Sequence, residues 1–117
     1  NNNIKVFNFS DANLLTCFAN DYGYENIFSK IIEYYGAKGD LLILVSSSGQ
    51  SKNHLKAAAK AKLKNFFKIV TLTGFKKNNP LSKRGQINFW IDSKKYNHVE
   101  NSHQVILLSL IDLIKNK

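Results

Sequence analysis

Short apolar runs, separated by longer stretches with helical spacing, organise this chain. Five successive apolar residues at 41–45 predict a buried strand that ends at Ser46. Similar runs predict strands over residues 68–72 and 87–91, and the apolar-rich residues 4–9 predict a further strand.

The stretches between these strands predict helices. Apolar side chains recur at helical spacing over residues 24–35, which stop at glycines, and a second helix is predicted over residues 51–65 with Ser51 as its cap. A short helical turn is expected over residues 11–18 and a last helix from about 97 to 115. Strands that alternate with helices favour an α/β fold with a parallel sheet, and 117 residues are enough for one domain.

The serine-rich turn after the first of these strands is the clearest sign of a binding site. A helix that begins directly after a strand points its free N–H groups and the positive end of its dipole outward, toward an anion. The hydroxyls add hydrogen-bond donors without adding charge. The spacing matches neither a Walker loop nor a nucleophile elbow. An ordinary turn capped by Ser51 is the alternative, but it leaves the other serines unexplained. The residues expected to bind phosphate are Ser46, Ser47, Ser48, Gly49 and Ser51.

The net charge of +9 raises the possibility of a nucleic-acid partner. Nearly all of the 17 basic residues are lysines, whereas base and phosphate recognition favours the planar arginine fork. Lys52, Lys56, Lys60 and Lys64 recur every four residues and predict one solvated stripe on a helix. A nucleic-acid partner is therefore not expected, although the positive field could attract sugar phosphates.

Cysteine content and hydropathy indicate the compartment. The single cysteine, Cys17, cannot form an internal disulfide, which favours a reducing, cytoplasmic setting. The longest apolar runs are far shorter than the ~20 residues that span a bilayer, and the first residues do not form a signal peptide. No membrane partner is expected.

The serine-rich turn resembles the phosphosugar-binding loop of SIS (sugar isomerase) domains. Ser46, Ser48, Gly49 and Ser51 match the pattern Ser-x-Ser-Gly-x-Ser/Thr that follows a parallel strand in that family. Other segments are similar to phosphoheptose (sedoheptulose 7-phosphate) isomerases within the family. These segments are Asn20-Asp21-Tyr22-Gly23-Tyr24, residues 71–74 and residues 99–103.

The resemblance implies a three-layer α/β/α sandwich of SIS type over residues 1–117. It implies isomerisation of a phosphorylated sugar through an enediol, with sedoheptulose 7-phosphate as substrate, in a homotetramer that serves lipopolysaccharide or capsule synthesis. The family carries N-terminal helices, a first strand and a catalytic Glu ahead of this region. Because the sequence contains no Met, we expect the chain to be the C-terminal part of such a domain.

The resemblance also assigns roles to site residues. It implies that Asn20 and Asp21 contact sugar hydroxyls, whereas an Asx turn that caps the helix from Tyr24 is the alternative. In the last helix the family has a Gln and, eight residues later, a catalytic His, and in metal-bound members both bind zinc. Here these positions are Glu100 and Leu108, so the zinc ligand set is incomplete and no metal ligand is predicted.

Proton transfer is assigned to the start of the last helix. Glu100 and His103 are three residues apart and share a helix face, so we expect an acid/base pair, with a buried structural role for His103 as the alternative. His54 and His98 are expected to be exposed. The helix is apolar almost all round over residues 105–114, which predicts burial on more than one side and a pocket shared between subunits.

Two other functions are also compatible with the sequence. Some relatives of these isomerases keep the fold and the serine-rich turn but act as non-catalytic phosphosugar-binding or protein-binding factors. Leu108 favours that alternative and Glu100 speaks against it. A sugar-phosphate sensor domain from a transcription regulator is the third possibility, and it predicts an upstream helix-turn-helix.

Overall fold

The computed structural model describes residues 4–115, which form helices around a sheet of three parallel strands. The predicted α/β class and SIS-type layering are confirmed, and residues 1–3 and 116–117 of the predicted domain lie outside the described residues. The elements are α1 (Ala12–Tyr22), a 3-10 turn (Tyr24–Asn26), α2 (Ile27–Tyr35), β1 (Leu41–Ser46), α3 (Lys52–Leu63), β2 (Lys68–Thr73), a second 3-10 turn (Ser82–Arg84), β3 (Ile87–Trp90) and α4 (Tyr96–Lys115).

The three strands lie in the order β1-β2-β3, so their carboxyl ends share one edge of the sheet. Ser46 lies beside Thr73, and Thr73 lies beside Trp90. Helix α3 connects β1 to β2, whereas residues 74–86 connect β2 to β3 with only a 3-10 turn. Ligands of parallel sheets bind at the carboxyl edge, which is where the serine-rich turn leaves β1.

Helix α3 packs closely on the sheet because the residues on its inner face are small. Ala57, Ala58 and Ala61 are buried and contact the apolar side chains of the strands and of α2. Leu81, from the long connection before β3, is completely buried in the same cluster. This cluster holds the start of α3 in a fixed position relative to the end of β1.

The lysine stripe on α3 joins that helix to the preceding elements. Lys56 Nζ donates to Glu25 Oε1 at 2.7 Å, and Lys60 Nζ donates to Glu33 Oε2 at 3.0 Å. Lys64 Nζ donates to the Glu33 carbonyl at 2.8 Å. The bonds from Lys56 and Lys60 are the main reason why the pKa values of Glu25 and Glu33 are lowered. These three lysines of the predicted solvated stripe therefore remain partly exposed but also bind groups on the preceding elements.

The strand predicted over residues 4–9 is wrong, because this part of the described chain has no regular secondary structure. A strand forms only where a neighbour can complete its backbone hydrogen bonds, and these residues are not part of the three-stranded sheet. Phe9 instead packs on Tyr35, with ring centroids 5.1 Å apart. The helical turn predicted over residues 11–18 is a complete helix, and Asp11 caps it by accepting from the Leu14 N–H at 3.1 Å.

Helix α4 is buried only near its start. Val99 and His103 are buried, whereas Val105, Leu108 and Ile111 are exposed. The single chain therefore does not cover the apolar second half of this helix. Within residues 4–115, no helix has the length and hydrophobicity that a membrane span requires.

Candidate functional site

The turn from Ser46 to Ser51, here called the serine loop, depends on a glycine at its centre. Gly49 has a φ of +65°, and its N–H donates to the Ser46 carbonyl at 3.0 Å. A Cβ atom at this position would overlap the buried side chain of Asn79. Glycine is the residue that tolerates both this φ and this contact, so Gly49 shapes the loop, while its predicted part in phosphate binding stays a prediction.

Asn79 connects the serine loop to the end of β2. Its Nδ2 donates to Thr73 Oγ1 at 3.0 Å, and its Oδ1 accepts from the Ser82 N–H at 2.9 Å. The next residue but one, Leu81, donates its N–H to the Gly49 carbonyl at 3.0 Å. Residues of the connection before β3 therefore hold the serine loop in place.

The serine hydroxyls make few strong bonds within the chain. Ser46 Oγ and Ser51 Oγ are 3.3 Å apart, and Ser48 Oγ accepts from the Gln50 N–H at 3.3 Å. Ser51 is the N-cap residue of α3, as predicted, but its side chain makes no capping hydrogen bond to any described residue. Its hydroxyl is turned toward Ser46, which leaves the first N–H groups of α3 without that cap.

Helix α4 reaches the serine loop because Gly74 allows a close approach. A Cβ at Gly74 would lie 2.6 Å from a Val99 methyl group, and the Gly74 N–H donates to the Ser47 carbonyl at 2.9 Å. The residue after Val99 is Glu100, whose Oε1 accepts a long hydrogen bond of 3.4 Å from Ser47 Oγ. The structure therefore brings the carboxylate predicted to be catalytic to the serines predicted to bind phosphate.

These groups surround an open hollow of about 430 Å³ at the carboxyl edge of the sheet. Three sides differ in chemistry: uncharged hydroxyls from the serine loop, a carboxylate from α4, and aromatic or apolar groups. The combination suits a polar ligand that carries an anionic group at one end. The lining residues are Val45, Ser46, Ser47, Ser48, Ser51, His54, Tyr96 and Glu100.

A second hollow of about 570 Å³ adjoins the first, and Ser51 and His54 line both. The prediction that His54 is exposed is wrong, because its ring is half-buried and meets the Phe28 ring edge-on at 5.2 Å between centroids. Burial lowers the pKa of His54, and the Val45 carbonyl opposes this effect in part. The sequence contained one signal that His54 lies near the site: it is three residues after Ser51, in the first turn of α3.

His103 does not line the hollow with Glu100. Its side chain is 2% exposed, and a ring nitrogen, Nε2, lies 3.1 Å from the Thr73 carbonyl. The other nitrogen, Nδ1, has no hydrogen-bond partner among the described residues. A carbonyl only accepts, so Nε2 carries the hydrogen and anchors α4 to the end of β2. The geometry therefore supports the structural alternative for His103, while the exposed His98 is as predicted.

Asn20 and Asp21 lie at the end of α1, and neither lines a hollow described here. Asn20 Nδ2 donates to Asp21 Oδ1 at 3.1 Å, and the negative charge of Asp21 raises the pKa of the exposed Cys17. Neither provides a side-chain cap for the turn at Tyr24 in the described chain. The same sequence segment instead contributes Tyr24 and the following residue to the second hollow.

The donor set at the hollow does not fit the zinc site that the resemblance implies for some members. Among residues 4–115, no three His, Cys, Asp or Glu side chains gather at one point. His103 is turned to the Thr73 carbonyl, and Leu108 replaces the second ligand position. Within residues 4–115, Glu100 therefore faces the serines without the further His, Cys, Asp or Glu ligands of a zinc site.

The serine loop lies within the part of the chain that matches a known protein family. Residues 3–74 match the family model of the SIS domain. A phosphoheptose isomerase from Fusobacterium nucleatum is 38% identical over 109 residues, which are 93% of this chain and 55% of that protein. A phosphoheptose isomerase from Cytophaga hutchinsonii is 46% identical over 71 residues, 61% of this chain and 37% of its own length. The chain thus spans about half the length of such relatives.

Solved structures show the same fold. A phosphoheptose isomerase from Francisella tularensis superimposes with a TM-score of 0.85 and 28% identity, over 93% of this chain and 58% of that one. A phosphoheptose isomerase from Neisseria gonorrhoeae superimposes with a TM-score of 0.86 and 24% identity, over 92% of this chain and 59% of its own. At 24% identity, the second structure supports only the fold.

Proposed function

Because this chain belongs to the SIS domain family, we propose that it takes part in the isomerisation of a phosphorylated sugar, sedoheptulose 7-phosphate to a heptose 7-phosphate. The observation that carries the proposal is the contact between Glu100 and Ser47, since it joins a carboxylate to the loop that is similar to a phosphosugar-binding loop. The relatives reported above are named phosphoheptose isomerases, which favours this reaction over a non-catalytic role.

The serine loop would hold the phosphate. The hydroxyls of Ser46, Ser48 and Ser51 surround the start of α3, where the helix dipole favours negative charge. Ser47 is turned toward Glu100, so it connects the phosphate end of the hollow with the proton-transfer end. A bound phosphate would thereby place the sugar carbons along the hollow toward α4.

Glu100 would act as the base. Its carboxylate takes a proton from C1 of the ketose, and the electron pair forms the C1=C2 bond of an enediol as the C2 oxygen gains a proton. Return of the proton to C2, with loss of the O1 proton, gives the aldose. His103, buried against Thr73, would hold α4 in position. Asn20 and Asp21 do not line the hollow, so they could contact the sugar only if the ligand entered from another direction.

We also propose a homo-oligomer, a tetramer as the resemblance implies, that works in the cytoplasm and supplies lipopolysaccharide or capsule synthesis. The exposed apolar side chains in the second half of α4 support an interface there. Obligate interfaces between subunits are rich in such residues. The hollow is open to solvent, so a neighbouring subunit could complete it.

Turnover of sedoheptulose 7-phosphate by the full-length protein, followed by proton NMR, tests the proposal. Glu100→Gln keeps the size and polarity of the side chain but removes the base, so turnover should fall by about 10²–10⁴-fold while sugar phosphate still binds. His98→Gln, an exposed change one half-turn earlier on the same helix, serves as the matched control and should leave turnover unchanged.

Equal turnover by wild-type protein and Glu100→Gln would contradict the role of Glu100. No turnover by the wild-type protein, with sugar phosphate still bound at the serine loop, would instead support the non-catalytic phosphosugar-binding function. Leu108 would then mark the lost reaction, because it stands where the family has a catalytic His.

A further inference from the structure

His54 lies where the two hollows meet. It lines both of them, and its ring is half-buried between α3, the end of β1 and the Phe28 ring of α2. Neither the resemblance nor the comparisons give this residue a role. Its position beside the serine hydroxyls means that a ligand held by Ser46 and Ser51 would lie close to the ring.

The hydrogen bonds of the ring define which nitrogen can accept a proton. Nδ1 lies 2.9 Å from Asn53 Oδ1, and that oxygen also accepts from the His54 backbone N–H at 2.9 Å. An oxygen of this kind only accepts, so Nδ1 carries a hydrogen. In the neutral ring the proton-accepting atom is therefore Nε2.

We propose that His54 is the proton acceptor of the phosphate site: its ring takes up a proton from solvent when a dianion occupies the serine loop, and the resulting imidazolium attracts the dianion. This inference rests on the proposed phosphate-binding function of the serine loop. It adds a charge to a site whose hydroxyl donors are neutral, and it couples ligand binding to pH.

The surroundings of the ring favour a neutral state before binding and a charged one after it. Burial lowers the pKa of His54 in the free chain, so the ring is neutral near pH 7. A dianion in the same hollow favours the charged ring, because opposite charges at short range stabilise each other. The charged or titratable groups facing the hollows beside it are Tyr24, Glu25, Lys52, Tyr96 and Glu100.

These neighbours do not supply the same effect themselves. Glu25 is already paired with Lys56 at 2.7 Å, and Lys52 is an exposed cation at the mouth of the second hollow. The carboxylate of Glu100 repels an anion, so a cation elsewhere in the lining would help to hold one. Among the groups that line the serine-loop hollow, His54 is the one that can change from neutral to positive near neutral pH.

Inorganic sulfate is the best probe, because it remains a dianion throughout the range in which histidine titrates. A phosphate monoester has its own second pKa at about 6, so its charge would change in the same range. The ring signals of the full-length protein would be followed by NMR from about pH 5 to 8 with and without sulfate. His54→Gln identifies the His54 signal, and His98 is an internal control that lies exposed on α4.

With sulfate bound, the pKa of His54 should rise by at least about one unit, while the ring signals of the exposed His98 should be the same with and without sulfate. By linkage, sulfate should then bind about tenfold more tightly at the acid end of the titration than at the alkaline end. His54→Gln should abolish this pH dependence without abolishing binding, and Ser51→Ala should weaken binding at every pH.

Three other results would overturn the inference. If sulfate binds with no change in the His54 titration, or if His54→Gln keeps the full pH dependence, His54 has only a structural role, and the isomerase proposal is untouched. If sulfate does not bind and sugar turnover is also absent, the serine loop is not a phosphate site, and both proposals are wrong. Turnover measured separately distinguishes these cases.

Discussion

Gly49 lies where a side chain would have no room. Its φ of +65° is costly for other residues, and the space that a Cβ would fill is occupied by the Asn79 side chain. Gly49→Ala should therefore lower the free energy of unfolding by about 2–5 kcal/mol, since the backbone strain costs about 1–2 kcal/mol and the overlap about 1–3 kcal/mol.

Gly39→Ala is the matched control for this prediction. Gly39 also has a positive φ, of +91°, but nothing lies within 4 Å of its Cβ position. Its substitution should cost only the backbone strain, about 1–2 kcal/mol. Chemical denaturation of both variants measures the two values. Equal losses would mean that the contact between Gly49 and Asn79 does not constrain the serine loop.

At the scale of residues, the serine loop could be predicted because its chemistry is local. A strand, a run of hydroxyls and a helix start follow one another in the sequence, and no distant contact is needed to place them. Other features depend on tertiary contacts. Ser51 is oriented by its contact with Ser46, His103 is buried against Thr73, and His54 is half-buried against Phe28. Periodicity alone does not contain those contacts.

At the scale of elements, the contact between α2 and α3 includes ion pairs around Glu33. Lys60 and Lys30 both donate to its carboxylate, at 3.0 and 3.2 Å. These bonds lower the pKa of Glu33 below its ordinary value of 4.5. Because the folded-state pKa lies below the unfolded one, the pair stabilises the chain above the unfolded pKa, and this contribution is lost as the pH falls through the folded pKa.

Glu33→Gln should therefore make the melting temperature less sensitive to acid. The difference between wild-type protein and variant should be largest near neutral pH and should shrink as the pH falls below about 4.5. The pair is exposed, so the difference should also shrink in high salt. Thermal unfolding in Glu33→Gln, Lys60→Gln and the double variant measures the coupling, and additive effects would show that the two residues do not interact.

The elements also show where sequence patterns succeed and where they do not. β1, β2 and α3 were predictable within a few residues, because continuous apolar runs and small residues at helical spacing are strong local signals. Residues 4–9 have the composition of a strand but pair with no strand in the described chain. Strand formation requires a partner, and a single segment does not carry that information.

At the scale of the whole molecule, α4 presents an apolar surface that the chain does not cover. Ile111 and Ile114 are 47% and 52% exposed, and Leu108 is 51% exposed. If this surface is the interface of the proposed oligomer, the double substitution Ile111→Lys/Ile114→Lys should dissociate it, because two charges would be buried without partners. Sedimentation velocity of the full-length protein measures the mass.

Ser109→Lys is the control, since it adds charge to an exposed polar position on the other side of the same helix. It should leave the assembly intact. An unchanged mass for the isoleucine variant would place the interface elsewhere. A smaller mass with unchanged sugar turnover would show that a second subunit is not needed to complete the hollow.

The bonds that hold the serine loop have a consequence for affinity. Gly49 is bonded at its carbonyl by Leu81, and Ser47 is bonded at its carbonyl by Gly74, so the connection before β3 fixes the loop in the absence of ligand. A flexible loop would lose conformational entropy when a ligand ordered it, and this loss would weaken binding. Here the entropy is lost during folding, so an anion that binds as proposed would meet a site that is already assembled.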